Sequence, residues 1–387
     1  MQKEGALSLS SKKKLLIICN SLFISGGELN LFQFLKYYDK KKYEVVLILP
    51  NKSIDFNNEL TQCNVIEIPL IWFKRSLNPL YLIKCLINII YCSLKIRKII
   101  HDKKIDIIYS NSIKSHIYGS IIKLLTGKKA IWHVRDNFKK GFFNNFLIKY
   151  SDKIICISEY IYQQIKVPEK SKEIIYGGID THEWSPMQDT KKNDLRMALG
   201  LSLKTKLVAQ VSQITSWKNH LDFIKSAVEI IQDCTIEVHF LIVGDDLSGK
   251  EKRYKKQIET EILKAGLEKH FSFLGFIKDI KEIYAQIDVL VHPAINEPFG
   301  RAIIEAMAMG KPVVAYNCGG PKEIVINNKT GYLIEPYDYR GLAEKTIQLL
   351  ESRELRIKFG KAGRTRVIEK FNIERYVKKM EEIFESI

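Results

Sequence analysis

Residues 288–325 read DVLVHPAINEPFGRAIIEAMAMGKPVVAYNCGGPKEIV and alternate apolar runs with turn residues. The run 288–292 stops at a proline and predicts a short buried strand. Residues 300–309 carry apolar side chains at helical spacing, and Gly310 followed by Pro312 ends this predicted helix. Residues 313–315 then predict a second buried parallel strand. The order strand, loop, helix, strand is typical of an α/β fold.

Two carboxylates frame the predicted helix: Glu297 lies in the loop before it, and Glu305 lies inside it. Because Glu305 has apolar neighbours, we expect it to be partly buried, which costs free energy unless a partner is present. A carboxylate accepts two hydrogen bonds from a vicinal diol, a group that sugars and riboses carry. Phe299, Gly300 and Arg301 open the helix with free backbone N–H groups, where phosphate binds well. The loop therefore predicts two diol acceptors beside one anion site, and a core helix with two solvated acids is the alternative.

The run EPFGRAIIE resembles the E-x7-E signature of retaining glycosyltransferases of family 4, also called glycosyl transferases group 1. The following EAMAMGKPVV and GGPKEIV blocks are similar to the same family, and their order makes the resemblance specific. The resemblance implies an α/β GT-B fold with two facing Rossmann-like domains, which we expect at residues 1–186 and 187–366. It also implies that a C-terminal helix, residues 367–387, crosses back to the first domain. The implied activity moves a hexosyl unit from a nucleotide-diphosphate sugar to a hydroxyl, in lipid-linked polysaccharide or lipopolysaccharide synthesis.

The resemblance assigns catalytic roles to three residues. Glu297 is expected to hold hydroxyls of the donor sugar, and Lys218 to face the leaving diphosphate, where negative charge grows. His133, at the predicted carboxyl end of a strand, is expected beside the donor sugar or the acceptor. Glu305 is expected to hold the ribose diol, and Gln213 stands where relatives usually carry an arginine. The other residues expected at the donor are Gly26, Gly27, Phe276, Ile277, Phe299, Gly300 and Arg301.

The net charge of +17 is concentrated in the first half of the chain. Residues 1–186 carry 29 lysines and arginines against 16 acids, a balance of +13, which favours an anionic partner. The resemblance implies a lipid-linked or glycan acceptor, and the charge favours an anionic membrane surface. Nucleic acid is not expected, because no nucleic-acid-binding module is recognisable. The residues expected on the acceptor or membrane face are Trp72, Phe73, Lys74, Arg75, Lys139 and Lys140, with Phe142 and Phe143 beside them.

A long helix is predicted over residues 80–100, with a polar stripe at Lys84, Asn88, Tyr91 and Lys95. Its uninterrupted apolar stretches are expected to be too short to span a membrane. Packing on the core and contact with a membrane surface remain alternatives for this helix. Residues 1–13 show no secretory signal, and the seven cysteines form no CxxC pair. These features predict a cytoplasmic protein, peripheral on the inner face of a membrane.

No metal or other cofactor is expected. Asp245 and Asp246 resemble the metal-binding DxD pair of a different transferase fold, but the matching turn in this family is a plain Gly-Asp-Gly-like loop. Two other functions stay open. One is a nucleotide-sugar epimerase or sugar phosphorylase of similar architecture. The other is a non-catalytic module that binds sugar nucleotides or polyanions, which the Gln213 departure and the positive charge favour. The sequence leaves the nucleotide base, the sugar and the acceptor open.

Overall fold

The computed structural model describes residues 12–51, 63–73, 78–138, 141–186, 194–247 and 249–387. The chain divides into two compact units. The first contains residues 1–157, 164–175 and 377–387, and the second contains residues 158–163 and 176–376. The division therefore lies before the expected residue 186. The reason is that residues 176–186 are bonded to the second unit: the Ile179 N–H donates to the Phe371 carbonyl at 2.9 Å, and Arg364 donates to the Trp184 carbonyl at 2.8 Å.

A seven-stranded parallel sheet forms the centre of the first unit. Its strands are β1 (Lys13–Ile18), β2 (Tyr43–Pro50), β3 (Asn64–Ile68), β4 (Ile107–Ser110), β5 (Lys129–Val134), β6 (Lys153–Cys156) and β7 (Lys172–Ile174). Its helices are α1 (Gly26–Tyr37), α2 (Pro79–Lys103), α3 (Ile113–Thr126) and α4 (Phe142–Lys149). The central strands are continuous apolar runs, as expected for strands covered on both faces. As predicted, His133 lies near the end of a strand, here β5, and the long helix predicted over residues 80–100 lies within α2.

The strands of the first sheet follow the order β3-β2-β1-β4-β5-β6-β7. The order reverses between β1 and β4, which are hydrogen-bonded neighbours. In open parallel sheets, ligands bind outside the carboxyl ends of the strands at such a reversal. By this rule, a ligand crevice of the first unit is expected where β1 runs into α1.

The second unit contains a six-stranded parallel sheet in the order β10-β9-β8-β11-β12-β13. The strands are β8 (Lys206–Val211), β9 (Val238–Val243), β10 (Phe271–Gly275), β11 (Val289–His292), β12 (Val313–Tyr316) and β13 (Gly331–Ile334). The helices are α5 (Glu159–Gln164), α6 (Asp194–Ala198), α7 (His220–Asp233), α8 (Lys252–Lys264), α9 (Lys281–Gln286), α10 (Arg301–Ala308), α11 (Pro321–Ile324), α12 (Tyr339–Glu351) and α13 (Arg353–Lys370). Here the order reverses between β8 and β11.

The last helix, α14 (Ile373–Glu385), carries the end of the chain into the first unit. Phe384 is fully buried, and its ring centroid lies 5.7–6.0 Å from those of Phe34, Tyr43 and Tyr109. Only residues from 377 onward belong to the first unit, ten residues later than the expected 367. The preceding helix α13 stays with the second unit, because Gly360 packs closely on the backbone of that unit.

Candidate active site

Lys218 and Glu297 meet at the strand-order reversal of the second sheet. Lys218 lies in the loop after β8, and Glu297 lies in the loop after β11. The Lys218 ammonium forms an ion pair with Oε2 of Glu297, and the two side chains are only 13% and 10% exposed. The Trp217 ring lies below the same ammonium, 4.2 Å from Nζ to the ring centroid. Two of the three residues expected to be catalytic are therefore in direct contact.

Glu297 is held in its ionised form. Burial alone raises the pKa of its carboxyl, but the Lys218 charge and the His292 contact outweigh burial and lower the pKa to about 2. Nε2 of His292 lies 3.2 Å from Oε2 of Glu297. Burial lowers the pKa of His292, so this imidazole is neutral and donates its Nε2 proton to the carboxylate. The result is a fixed negative charge beside a fixed positive one.

Buried polar side chains support the loop that carries Lys218. Nε2 of Gln210, on β8, donates to the Lys218 carbonyl at 2.8 Å. The His220 N–H donates to the Tyr254 hydroxyl at 2.9 Å, and Nε2 of His220 lies 3.3 Å from Oγ of Ser212. Gln210, His220 and His292 were not expected at the site from the sequence. Gln210 and His292 could have been recognised in the sequence, because each is a polar residue inside or at the end of an otherwise apolar strand.

Two adjacent glycines seat the Glu297 loop. The Gly320 N–H donates to the Glu297 carbonyl at 2.8 Å. A Cβ atom on Gly319 would lie 2.3 Å from the carbonyl oxygen of Glu297, and one on Gly320 would lie 2.2 Å from that of Phe299. Gly319 also has a φ of +63°, in the left-handed region that favours glycine. The GG block of the signature is therefore explained by the close approach of two backbone segments.

Glu305 on α10 is buried, as the sequence predicts, and protein groups contact both of its oxygens. The Tyr284 hydroxyl donates to Oε2 at 3.1 Å, and Nε of Arg301 lies 2.7 Å from Oε1. Burial raises the pKa of Glu305, and the Arg301 charge and the Tyr284 hydroxyl partly offset this effect. Arg301, expected to help form an anion site, is paired with Glu305 and 10% exposed. Tyr284 was likewise not expected at the site from the sequence.

The remaining donor candidates of this unit lie after neighbouring strands. Gln213 follows β8 and is partly exposed, whereas Phe276 and Ile277 follow β10, with Phe276 exposed. Asp245 follows β9 and forms a 2.8 Å ion pair with Lys255, a contact that lowers the pKa of Asp245. Among the described residues, no group of three His, Cys, Asp or Glu side chains is arranged to hold a metal ion.

The first unit holds a separate polar cluster around His133, at the end of β5. The Tyr109 hydroxyl lies 2.7 Å from Nδ1 of His133, and Nη2 of Arg135 lies 3.2 Å from the same nitrogen. Burial, and then the Arg135 charge, lower the pKa of His133 well below its usual range. The imidazole is therefore neutral. Because Nδ1 faces two donors, the proton lies on Nε2.

Gly26 and Gly27 begin α1 directly after the β1 turn, with Ser25 as the capping residue. A Cβ atom on Gly27 would lie 3.2 Å from Cδ of Arg135, so this glycine allows the arginine to pass close to the helix start. Asn111, at the end of β4, accepts a hydrogen bond from Nε of Arg135 at 3.0 Å. The structure therefore places Gly27 and His133 in one cluster, joined through Arg135.

Trp72 and Phe73, expected on the acceptor or membrane face, are half-buried. The Trp72 ring packs on Phe23 and under the Lys114 ammonium, and the Phe73 ring lies 5.9 Å from that of Tyr118. Phe143 is exposed. The other expected residues of this face lie outside the described residues: Lys74, Arg75, Lys139, Lys140 and the side chain of Phe142.

Helix α2 corrects two expectations. By length and composition it could cross a membrane, because an 18-residue window within it has a mean hydropathy of 1.5, so the expectation that its apolar stretches are too short is wrong. Only 22% of that apolar window is buried. Asn88, expected in one polar stripe with the exposed Lys84, Tyr91 and Lys95, is half-buried: its Nδ2 donates to the Pro69 carbonyl at 2.8 Å, and its Oδ1 accepts from the Tyr118 hydroxyl.

Comparison with known families and structures agrees with the two-unit α/β fold described above. Residues 24–183 match the model of Glycosyltransferase Family 4, and residues 191–366 match that of Glycosyl transferases group 1. The computed structure superimposes on Anabaena HepE in complex with UDP and glucose with a TM-score of 0.83, covering 97% of this chain and 100% of that one at 24% identity. It also resembles sucrose-phosphate synthase from Thermosynechococcus elongatus, with a TM-score of 0.80 at 19% identity over 97% of this chain and 99% of that one. The fold is therefore the α/β GT-B fold, as the sequence predicts.

Two curated relatives are similar in sequence. The UDP-Gal:alpha-D-GlcNAc-diphosphoundecaprenol alpha-1,3-galactosyltransferase of Escherichia coli is 26% identical over 87% of this chain and 90% of its own length. The lipopolysaccharide core biosynthesis mannosyltransferase LpsB of Rhizobium meliloti is 27% identical over 63% of this chain and 68% of its own length. The chain belongs to the family 4, group 1 glycosyltransferases, which confirms the family predicted from the E-x7-E stretch.

Proposed function

We propose that this glycosyltransferase moves a hexosyl unit from a nucleoside-diphosphate sugar to a hydroxyl group, with retention of the anomeric configuration. The observation that carries the proposal is the ionised Glu297 held against Lys218 at the strand-order reversal of the second sheet. When the bond between C1 and the phosphate oxygen breaks, negative charge grows on the leaving diphosphate. The buried Lys218 ammonium is a pre-positioned group that stabilises this charge. The Glu297 carboxylate accepts hydrogen bonds from donor sugar hydroxyls.

The proposed transfer breaks the bond from C1 to the phosphate oxygen and forms a bond from C1 to the acceptor oxygen on the same face of the sugar. The leaving phosphate takes the acceptor proton, so no side chain acts as a nucleophile. The resemblance of the E-x7-E stretch to retaining enzymes supports this course. Glu305, already hydrogen-bonded by Tyr284, is assigned to the ribose diol. In the first unit, we assign the Nε2 proton of His133 to a sugar or acceptor hydroxyl.

We propose a lipid-linked acceptor at the cytoplasmic face of a membrane, in cell-surface polysaccharide or lipopolysaccharide synthesis. Two findings support this choice. The E. coli relative is named for a diphosphoundecaprenol-linked acceptor, and the R. meliloti relative for lipopolysaccharide core synthesis. Residues 1–186 carry the excess of positive charge that an anionic lipid surface attracts.

We propose that transfer needs no divalent metal, because Lys218 supplies positive charge at the leaving group and Asp245 is already paired with Lys255. We expect the transfer rate in EDTA to equal the rate without it. Loss of activity in EDTA, with recovery on adding Mn²⁺, would contradict the proposal and would favour Asp245 and Asp246 as metal ligands.

The donor site is tested in two stages. A panel of nucleoside-diphosphate sugars is screened by thermal shift, where a donor at 100 times its dissociation constant stabilises the protein by about 2.7 kcal/mol. With the best donor, Lys218→Ala should lower turnover by roughly 10²–10³-fold. Glu305→Ala should mainly weaken donor binding, because it removes the ribose contact. Lys264→Ala, which removes an exposed lysine of the same unit, is the matched control.

The outcomes separate the open alternatives. Unchanged turnover in both site variants would reject this site. Conversion of the donor to a different nucleotide sugar, without any acceptor, would indicate an epimerase. Tight donor binding without transfer or hydrolysis by the pure protein would indicate a binding module.

A further inference from the structure

Helix α2 presents a continuous apolar face to the outside of the first unit. Its outward side chains are 51% to 78% exposed, although they are large and aliphatic. They recur at helical spacing along the first two thirds of the helix, at Leu80, Ile83, Leu86, Ile87, Ile90 and Leu94. Contiguous exposed apolar surface of this kind marks a contact site for a partner or a membrane, because leaving it in water is unfavourable.

The opposite face of α2 is part of the core of the first unit. Cys92, Ile96 and Ile100 are buried and belong to the same apolar cluster as residues of the central strands. On this side Asn88 bonds to Pro69 and Tyr118. A helix held in this way lies flat on the unit, and crossing a bilayer would require it to leave that core. The geometry therefore fits a helix that lies in the membrane interface with one face immersed.

Positive charge borders the apolar face. Lys84, Lys95, Arg97 and Lys98 are all exposed, and Asp102 is the one acidic residue of α2. We infer that the outward face of α2 docks the enzyme on an anionic lipid surface, with its aliphatic side chains inserted at the level of the acyl chains. The inference deepens the proposed function, on which it rests for a lipid-linked acceptor. The proposed membrane contact is therefore α2, whereas Trp72 and Phe73, expected on that face, are half-buried.

Charge favours a membrane over a second copy of the chain as the occupant. Two copies that paired through α2 would each bring a first half with a balance of +13. Like charges repel, whereas each basic residue near an anionic lipid surface contributes favourably. An apolar face bordered by lysine and arginine is the composition expected of interfacial helices.

Hydrogen bonds within the first unit connect the inward face of α2 to the segment after β1. Asn20, two residues after the end of β1, donates from Nδ2 to the Ile71 carbonyl at 3.0 Å. The Ile71 N–H donates to the Tyr118 hydroxyl at 3.0 Å, and that hydroxyl donates to Asn88 of α2 at 2.8 Å. The helix proposed to dock on the membrane is therefore fixed, through its inward face, to the segment that borders the carboxyl edge of this sheet.

The test is co-sedimentation of the full chain with vesicles of phosphatidylcholine alone, or of equal parts phosphatidylcholine and phosphatidylglycerol. The test variant replaces Ile83, Ile87 and Ile90 with Asn, and all three are exposed, so folding should be preserved. The control variant replaces Leu124, Leu263 and Ile357 with Asn, which are exposed to a similar degree on other helices. We expect the test variant to lower partitioning onto anionic vesicles by roughly 10- to 100-fold, and the control variant to leave it unchanged.

A second variant, Lys95→Glu with Lys98→Glu, should abolish the preference for anionic over neutral vesicles, because the preference arises from charge. Equal vesicle binding by the wild type and the isoleucine variant would overturn the inference. So would a wild-type dimer in sedimentation velocity that the isoleucine variant converts to a monomer, without vesicle binding. Release of nucleoside diphosphate from the donor in vesicle-free solution is measured in parallel. That reading tests the proposed function separately, and the isoleucine variant should leave it at the wild-type level.

Discussion

Replacing Glu297 with Gln should destabilise the second unit by about 3 kcal/mol near neutral pH. The substitution keeps the shape of the side chain but leaves the Lys218 ammonium, 13% exposed, without its counterion. A fall of the Glu297 pKa from the ordinary 4.5 to about 2 corresponds to about 3 kcal/mol of stability. Removing one partner of a buried ion pair typically costs about 3–5 kcal/mol, which agrees.

The pH dependence of this loss of unfolding free energy gives a sharper test than its magnitude at neutral pH. Because folding lowers the pKa of Glu297, its contribution is fully present above about pH 4.5 and is lost as the pH falls towards about 2. The difference in unfolding free energy between wild type and Glu297→Gln should therefore shrink steadily over this range. Other acidic groups titrate in both proteins, so they largely cancel in the difference.

The assay is urea unfolding followed by fluorescence, for which Trp217 is well placed beside Lys218. Glu344→Gln is the matched control, since Glu344 pairs with Lys345 at 2.8 Å but is 64% exposed. A surface pair of this kind should contribute less than about 1 kcal/mol. A difference for Glu297→Gln below about 1 kcal/mol, or one independent of pH, would refute the reasoning that the buried pair fixes the charge of Glu297.

Three further predictions concern close packing and a buried hydrogen bond. Gly320→Ala should destabilise the second unit by about 3 kcal/mol in thermal unfolding, because its Cβ would lie 2.2 Å from the Phe299 carbonyl oxygen. The control is Gly266→Ala, whose Cβ would have no atom within 4 Å and which should destabilise the unit by only about 1–2 kcal/mol. Tyr284→Phe should weaken donor binding about tenfold by calorimetry, because Glu305 loses a buried hydrogen-bond donor; an unchanged affinity would separate Tyr284 from the donor site. Phe384→Ala should cost the first unit about 3–5 kcal/mol in urea while leaving the transition of the second unit in place, and a shift of both transitions would contradict the division of the chain.

The sequence alone determined the local elements and the family. Apolar runs located β11 and β12 nearly in place, because a strand covered on both faces must be apolar along its whole length. The E-x7-E stretch identified Glu297 and Glu305, and the buried position of Glu305 followed from its apolar helix neighbours. Strand β7 was missed, because three half-buried edge residues leave no pattern to detect.

Only the tertiary structure decided which residues meet. Lys218 and Glu297 are distant in the chain, and their contact depends on β8 and β11 being neighbours, which long-range pairing sets and local periodicity does not. The pairing of Arg301 with Glu305 depends on side-chain direction within α10. For α2, apolar residues occur on both faces, so the amino-acid pattern does not distinguish the inward face from the outward one. Packing against α3 and the central sheet determines which face is buried, and it leaves the aliphatic side chains of the other face of α2 in solvent.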